Sequence, residues 1–263
     1  MTDVVEASRD GAILTLTINR PEALNALNPQ TNQELRLAIE TAARDAGIGA
    51  IVLTGSGRAF CAGADLKDVS RRLAEGQTNV GDDLRENYAP LTRAIRLCPK
   101  PVIAALNGTA AGAGLSLALA CDLRIAAAGV QLIVAFVRVG LVPDAGSLFF
   151  LSRMLGLSKA TELALTGEPL SAEDALQLGL LAAVVPGERL MTAALEQARR
   201  LAEGPRHTIA LIKRGLERSL DLDLEQTLEL ESHLQTLAGN SPDAQEAIRA
   251  FVEKRAPVFK TSR

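Results

Sequence analysis

Ser56-Gly57-Arg58-Ala59-Phe60-Cys61-Ala62-Gly63-Ala64-Asp65-Leu66 and Asn107-Gly108-Thr109-Ala110-Ala111-Gly112-Ala113-Gly114-Leu115-Ser116 are two Gly/Ala-rich turns, each set directly after an apolar run. The runs, Ala50–Leu53 and Pro101–Leu106, are short and uninterrupted, as expected of strands buried on both faces. Gly112–Ala120 then reads as a helix and Leu123–Ala126 as extended chain. This alternation predicts an α/β fold with a mostly parallel sheet. Residues without bulk let a backbone approach a ligand closely. Two such turns can aim two peptide N–H groups at one oxygen, forming an oxyanion hole. The second also opens a helix, whose first N–H groups are free and sit at the positive end of its dipole. The amides of Ala64 and Ala113 are the candidate donors. A single turn of this kind ordinarily serves helix–strand packing. The pairing after two strands of one predicted sheet is what points to a site.

Working outward, Val4–Ser8 and Ala12–Ile18 alternate around Arg9-Asp10-Gly11, a hairpin signal. Asn28-Pro29 opens a helix, Asn as N-cap and Pro in the first turn, that runs to about Asp45. The polar, Gly-containing stretch 76–83 is expected to be a mobile loop. Beyond Gly146 the pattern is nearly all helical. Ser171-Ala172-Glu173-Asp174 resembles a capping box, Leu181–Val185 reads as a short strand, and helices are expected near 188–203, 206–219, 222–238 and 242–254. The expected division is a core over 1–195 and a helical C-terminal region over 196–263.

Composition narrows the function classes. The 263 residues are 48% hydrophobic, enough for a sizeable core. Aromatics are 3%, Trp is absent, and the net charge is −3, so neither stacking platforms nor a basic stripe for nucleic acid is present. The apolar stretch 125–137 is shorter than the roughly 20 residues of a membrane span. Met1-Thr2-Asp3 leads straight into a strand pattern, so no signal peptide is expected, and a cytoplasmic protein is. Cys61, Cys98 and Cys121 lack metal-ligand spacing and read as buried reduced thiols. No metal site is expected.

One carboxylate stands out in Gly140-Leu141-Val142-Pro143-Asp144-Ala145-Gly146. Asp144 suits a helix N-cap. From the residues alone that cap is the favoured reading; the functional alternative is a general base whose pKa is raised by Leu141, Val142, Leu148 and Phe149. Ser116, Asp144 and His207 follow the chain order of a serine-hydrolase triad, a second function class. Against it, Ser116 falls inside an apolar helix, and both His207 and His233 read as surface residues. Tyr88 fits a core position on an amphipathic helix, or the lining of a pocket.

Taken together, Asn19-Arg20-Pro21-Glu22-Ala23-Leu24-Asn25-Ala26-Leu27, Gly57–Leu66, Lys100–Gly108 and Ala120-Cys121-Asp122 resemble the crotonase (enoyl-CoA hydratase/isomerase) superfamily. The resemblance extends through Leu170–Ala175 to the terminal helices. It implies a spiral of ββα units, a C-terminal helical trimerisation region, and assembly as a homotrimer or a hexamer built as a dimer of trimers. It implies an acyl-CoA thioester as substrate, an enolate intermediate, and no cofactor apart from the CoA carried by the substrate. Its oxyanion-hole positions match Ala64 and Ala113. Its CoA- and substrate-contacting positions match Ala23, Ala26, Ala62, Ala64, Asp65, Leu66, Lys67, Ala113 and Phe136. The two glutamates that activate water in hydratases match Ser116 and Phe136, neither of which is a carboxylate. Asp144 stands where hydratases have Gly, a placement that resembles the dienoyl-CoA isomerases and, more closely, the ring-1,2-epoxyphenylacetyl-CoA isomerases. The expected activity is therefore an acyl-CoA isomerisation with one Asp base. The alternatives are enoyl-CoA hydration, a Ser116 hydrolase, or a non-catalytic acyl-CoA-binding scaffold.

Overall fold

The computed structural model describes residues 4–76 and 79–259. The chain opens with a hairpin of β1 (Val5–Asp10) and β2 (Ile13–Ile18), turning at Gly11, whose φ of +57° favours glycine. Helix α1 (Pro29–Arg44) begins where its cap dictates, the Asn28 side chain accepting from Thr31 N at 2.8 Å. It turns Leu35, Ile39 and Ala42, spaced at helical intervals, into the core.

The middle of the chain repeats one unit. A long strand runs into a short strand and then a helix: β3 (Ala50–Gly55), β4 (Ala59–Cys61) and α2 (Leu66–Ala74). Helices α3 (Val80–Asp83) and α4 (Ala89–Leu97) follow, separated by a wide helical turn over Leu84–Tyr88. The second unit is β5 (Val102–Leu106), β6 (Thr109–Ala111) and α5 (Ala113–Ala120). The third is β7 (Leu123–Ala127), β8 (Gln131–Ile133) and α6 (Ser147–Thr166), the last broken at Gly156. Strand β9 (Pro169–Ser171), α7 (Ala172–Gln177), β10 (Ala183–Val185), α8 (Leu190–Ala202), α9 (Arg206–Ser219), α10 (Leu224–Gly239) and α11 (Pro242–Val252) complete the chain.

The long strands, with the three-residue β10 at the far edge, form a six-stranded sheet in the order β1-β2-β3-β5-β7-β10, parallel except for the first hairpin. Its central strands β3 and β5 are buried at every position, which explains their almost wholly apolar sequences; the one polar side chain, Thr54, donates to Ala105 O at 2.9 Å. The short strands form a second sheet, β4-β6-β8-β9, in which β4, β6 and β8 run parallel. The result is the expected α/β spiral: each turn of chain adds one strand to each sheet. Helix α8 packs on the first sheet through Leu190, Ala194, Ala198 and Ala202. Helices α9 and α10 share a separate apolar cluster of Leu211, Leu234 and Ala238.

The stretch 76–83 departs from the loop expected of it. Residues 77 and 78 lie outside the described residues, but Val80–Asp83 is helical, capped by the Asn79 side chain accepting from Asp82 N at 2.9 Å. The cause is tertiary. Asp83 is buried, and its two oxygens accept from Arg72 Nη1 and Nη2, each at 2.8 Å, closing this segment onto α2.

Helix α5 lies so close to β4 that Gly114 has no room for a side chain. A Cβ there would stand 2.3 Å from Cys61 O and 2.7 Å from Cys61 Cβ. Gly114→Ala is expected to push α5 off the sheet at a cost of about 1–3 kcal/mol, read as a lowered midpoint of thermal unfolding.

Candidate active site

Three consecutive short strands feed the site. β4, β6 and β8 are parallel neighbours, so the segments leaving their C-terminal ends emerge side by side. Those segments carry Ala64, Ala113, and Phe136 with Asp144.

Each turn needs its glycine. Gly63 has φ +105° and Gly112 has φ +50°, conformations that L side chains avoid. A Cβ on Gly63 would meet Ala111 O at 2.9 Å and Ala113 N at 3.4 Å, which shows how closely the two turns abut. Ala64 pairs with Leu27 in a parallel bridge, Leu27 N donating to Gly63 O at 2.7 Å and Asp65 N donating to Leu27 O at 2.8 Å. In that pattern the neighbours of Ala64 make the bonds, and its own N–H is left over. Ala113 is the first residue of α5, so its N–H has no carbonyl four residues back to bond. Among the described residues neither amide donates to a backbone carbonyl or a side chain. Two unengaged donors on abutting turns are the makings of an oxyanion hole.

The remaining positions matched by resemblance gather beside the first turn. The 3-10 turn Pro21–Ala23 and buried Ala26 run along Ala62–Asp65, with Ala62 N donating to Leu24 O at 3.0 Å. Leu24 and Asn25 both have positive φ, a strain held by the buried Asn25 side chain, which donates to Ser56 O and Ala59 O at 2.8 Å each. Asp65 is engaged by the scaffold: it pairs with Arg20 at 2.8 Å and caps α2 through Asp68 N. Ala62, Leu66 and Lys67 are exposed. Phe136 is buried on a 3-10 turn over Ala135–Val139, and Leu115 is buried within α5, so both present apolar bulk rather than a polar group.

Asp144 lies on the segment between Phe136 and α6. It is not the cap of that helix: the N-cap is Gly146, and the carboxyl caps nothing. Its Oδ1 is buried without a hydrogen-bond partner among the described residues. Burial, followed by repulsion from Asp83, raises its pKa to about 6. The apolar neighbours expected from sequence are only partly responsible, since Val142 and Leu148 are 70% and 55% exposed. Asp83, which sequence reasoning did not bring here, contributes as well. Tyr88 is buried, donates to Leu27 O at 3.3 Å, and has its own pKa pushed up by burial and by the negative charge of Asp83 and Asp144. The signal of Asp83 in the sequence is weak, because Gly81-Asp82-Asp83 has the composition of a solvated loop.

The triad does not assemble. Ser116 is fully buried, and its Oγ meets the backbone carbonyl of Asp144 at 3.0 Å rather than the carboxylate. His207 is exposed at the start of α9, in a shallow pocket shared with Ile48, Gly49 and Lys100. The three cysteines are free and buried, as expected, with the thiols of Cys61 and Cys121 pushed up to about 12 by burial. No cluster of metal-ligating side chains occurs among the described residues, and no described helix is long and apolar enough to cross a membrane.

The sequence profile described as enoyl-CoA hydratase/isomerase matches residues 8–262. A Rhodobacter capsulatus protein called "probable enoyl-CoA hydratase" is 44% identical over 247 residues, covering 94% of each chain. The 1,2-epoxyphenylacetyl-CoA isomerase of Escherichia coli K12 is 40% identical over 259 residues, covering 98% of this chain and 99% of that one. Among solved structures, an enoyl-CoA hydratase from Polaromonas sp. JS666 superposes with a TM-score of 0.91 at 34% identity, covering 97% of this chain and 99% of that one.

Proposed function

The chain belongs to the enoyl-CoA hydratase/isomerase family, and from that premise we propose that it is an acyl-CoA isomerase working through an oxyanion-stabilised thioester enolate with Asp144 as its one base. The observation that carries this reading is the placement of the half-buried Asp144, with Oδ1 out of solvent and no cationic partner among the described residues, on the segment next to two unengaged amides.

The thioester carbonyl accepts from the N–H groups of Ala64 and Ala113. As a proton leaves the acyl chain, negative charge gathers on that oxygen, where the two donors stabilise it. Asp144 takes the proton and returns it at another carbon on the same face, which moves a double bond. With a 1,2-epoxyphenylacetyl thioester the same platform assists opening of the strained ring to an oxepin. The electrons stay within the substrate and the proton that Asp144 removes is the one it returns, so the scheme calls for no metal or redox cofactor. Leu115 and Phe136 form an apolar wall that keeps water from the enolate. The positions that bear the two water-activating glutamates in hydratases are filled here by Ser116 and Phe136, which is why isomerisation is preferred to hydration. The exposed apolar side chains Leu216 and Leu228 on α9 and α10 support assembly as a trimer or hexamer.

The reading is tested by incubating the protein with crotonyl-CoA, a 3-enoyl-CoA and 1,2-epoxyphenylacetyl-CoA and identifying products by mass and NMR. Isomers are the expected products. A 3-hydroxyacyl-CoA as main product would show a hydratase, free CoA a hydrolase, and tight binding without exchange of acyl protons a scaffold. The pH profile follows from the raised pKa. Asp144 must be ionised to accept a proton, so kcat should be flat above pH about 6 and fall by about tenfold per unit below it.

A further inference from the structure

Asp144 has an unusual support. Its carboxylate Oδ1 has no hydrogen-bond partner among the described residues, so its position is transmitted through its own peptide. That peptide is awkward: the next residue, Ala145, is a non-glycine residue at φ +50°. Such a turn persists only where its surroundings hold it, and here hydroxyl groups do so. Ser116 Oγ lies 3.0 Å from Asp144 O, and Ser147 N donates to the same carbonyl at 2.9 Å. Ser147 Oγ lies 2.7 Å from Ser116 Oγ. Thr92 Oγ1, from α4, reaches Ala145 O at 3.1 Å.

The protons can be assigned. Ser116 Oγ also lies 3.2 Å from Gly112 O, so it has two carbonyls to satisfy and one hydrogen. Ser147 Oγ has no other acceptor among the described residues, so its hydrogen goes to Ser116 Oγ. That leaves the Ser116 hydrogen for Asp144 O and Gly112 O. Both serines are completely buried, where a satisfied pair of hydroxyls is stiff and an unsatisfied one costly. Gly112 immediately precedes Ala113, the second oxyanion donor. One hydroxyl therefore spans the two halves of the site, joining the backbone that presents an amide to the backbone that presents the carboxylate.

We propose that Ser116, backed by Ser147, is a positioning residue that fixes Asp144 relative to the Ala113 amide. The inference rests on Asp144 being the base. It gives Ser116 a part in isomerisation that needs neither nucleophilic attack nor proton transfer by its hydroxyl. Proton abstraction is sensitive to this distance, since an ångström of misplacement can cost about 100-fold in rate.

The test uses the full-length protein and whichever of the three thioesters above is turned over. Ser116→Ala should lower kcat by about 10-fold or more with KM nearly unchanged, because the carbonyl-binding amides and the CoA contacts remain. Ser116→Thr, which keeps a hydroxyl at the same atom, should recover most of the rate. A purely structural serine would shift the unfolding midpoint but leave kcat at wild-type level well below that midpoint. Asp144→Asn run alongside separates the two claims. An inactive Asp144→Asn with wild-type kcat in Ser116→Ala would overturn the positioning role alone. An active Asp144→Asn would overturn the base, and this inference with it. Should Ser116→Ala fail to fold, Thr92→Val removes a hydroxyl from the other side of the same turn. There a fall in kcat at constant KM supports a base held through its peptide, and an unchanged kcat overturns it.

Discussion

Asp144→Asn is expected to fold, to bind acyl-CoA thioesters as the wild type does, and to lose isomerase turnover by about 10²–10⁴-fold, the usual contribution of a positioned general base. Asparagine fills the same space and cannot accept the proton. Binding should survive because the proposed thioester contacts, the amides of Ala64 and Ala113, belong to other segments. The substitution has a second consequence that separates it from simple damage. The Asp144 pKa is raised to about 6 in the folded protein, by burial and by Asp83, from an ordinary value near 4 in the unfolded chain. Between these values the folded state binds the proton more tightly, so this carboxyl's contribution to stability declines as pH rises through roughly 4 to 6 and stays unfavourable above. Asparagine carries no charge at any pH. The variant should therefore unfold at a higher temperature than wild type at pH 7.5, and the difference should shrink by pH 4. Turnover near wild type would remove the base assignment. A midpoint lowered at pH 7.5 would mean that the carboxylate is stabilised by a partner.

What made this site readable in the sequence was local, and what hid was tertiary. The runs at β3 and β5 announce strands because a parallel strand covered on both faces has no polar position to interrupt it. Asn28, Ser171 and Ser241 announce helix starts because a cap is an interaction with a residue three positions on. The two Gly/Ala-rich turns are visible because only glycine tolerates the backbone at Gly63 and Gly112. By contrast, β4, β6, β8 and β9 have three residues each, too few to show a period, yet they align the site. Nothing near Asp83 in the chain indicates that Arg72 will fold it inward beside Asp144. Ser116 looked like a misplaced nucleophile because its partners, Ser147 and the Asp144 carbonyl, are set by the packing of α5 against α6 rather than by spacing.

The proposed oxyanion hole is made of backbone, so an ordinary side-chain exchange cannot delete it, but proline can. Ala113→Pro is expected to reduce kcat/KM by about 100- to 1,000-fold, the loss typical of one missing donor (about 2.7–4 kcal/mol). The position is favourable for a clean experiment. Ala113 is the first residue of α5, where proline's fixed φ suits the helix and its missing N–H breaks no intrahelical bond. The residue before it is Gly112, the type most tolerant of proline's restriction on its predecessor. The proposed donor disappears, and the ring's Cδ stands where its hydrogen pointed, so the carbonyl oxygen is also crowded out of that position. Helix content and thermal midpoint should stay close to wild type while catalysis collapses. Asp144 titrates independently of that amide, so the residual rate should keep its acid limb near pH 6. Undiminished kcat/KM in a folded Ala113→Pro protein would show that the thioester oxygen binds elsewhere, and the enolate mechanism would then lose its electrostatic support even with Asp144 in place.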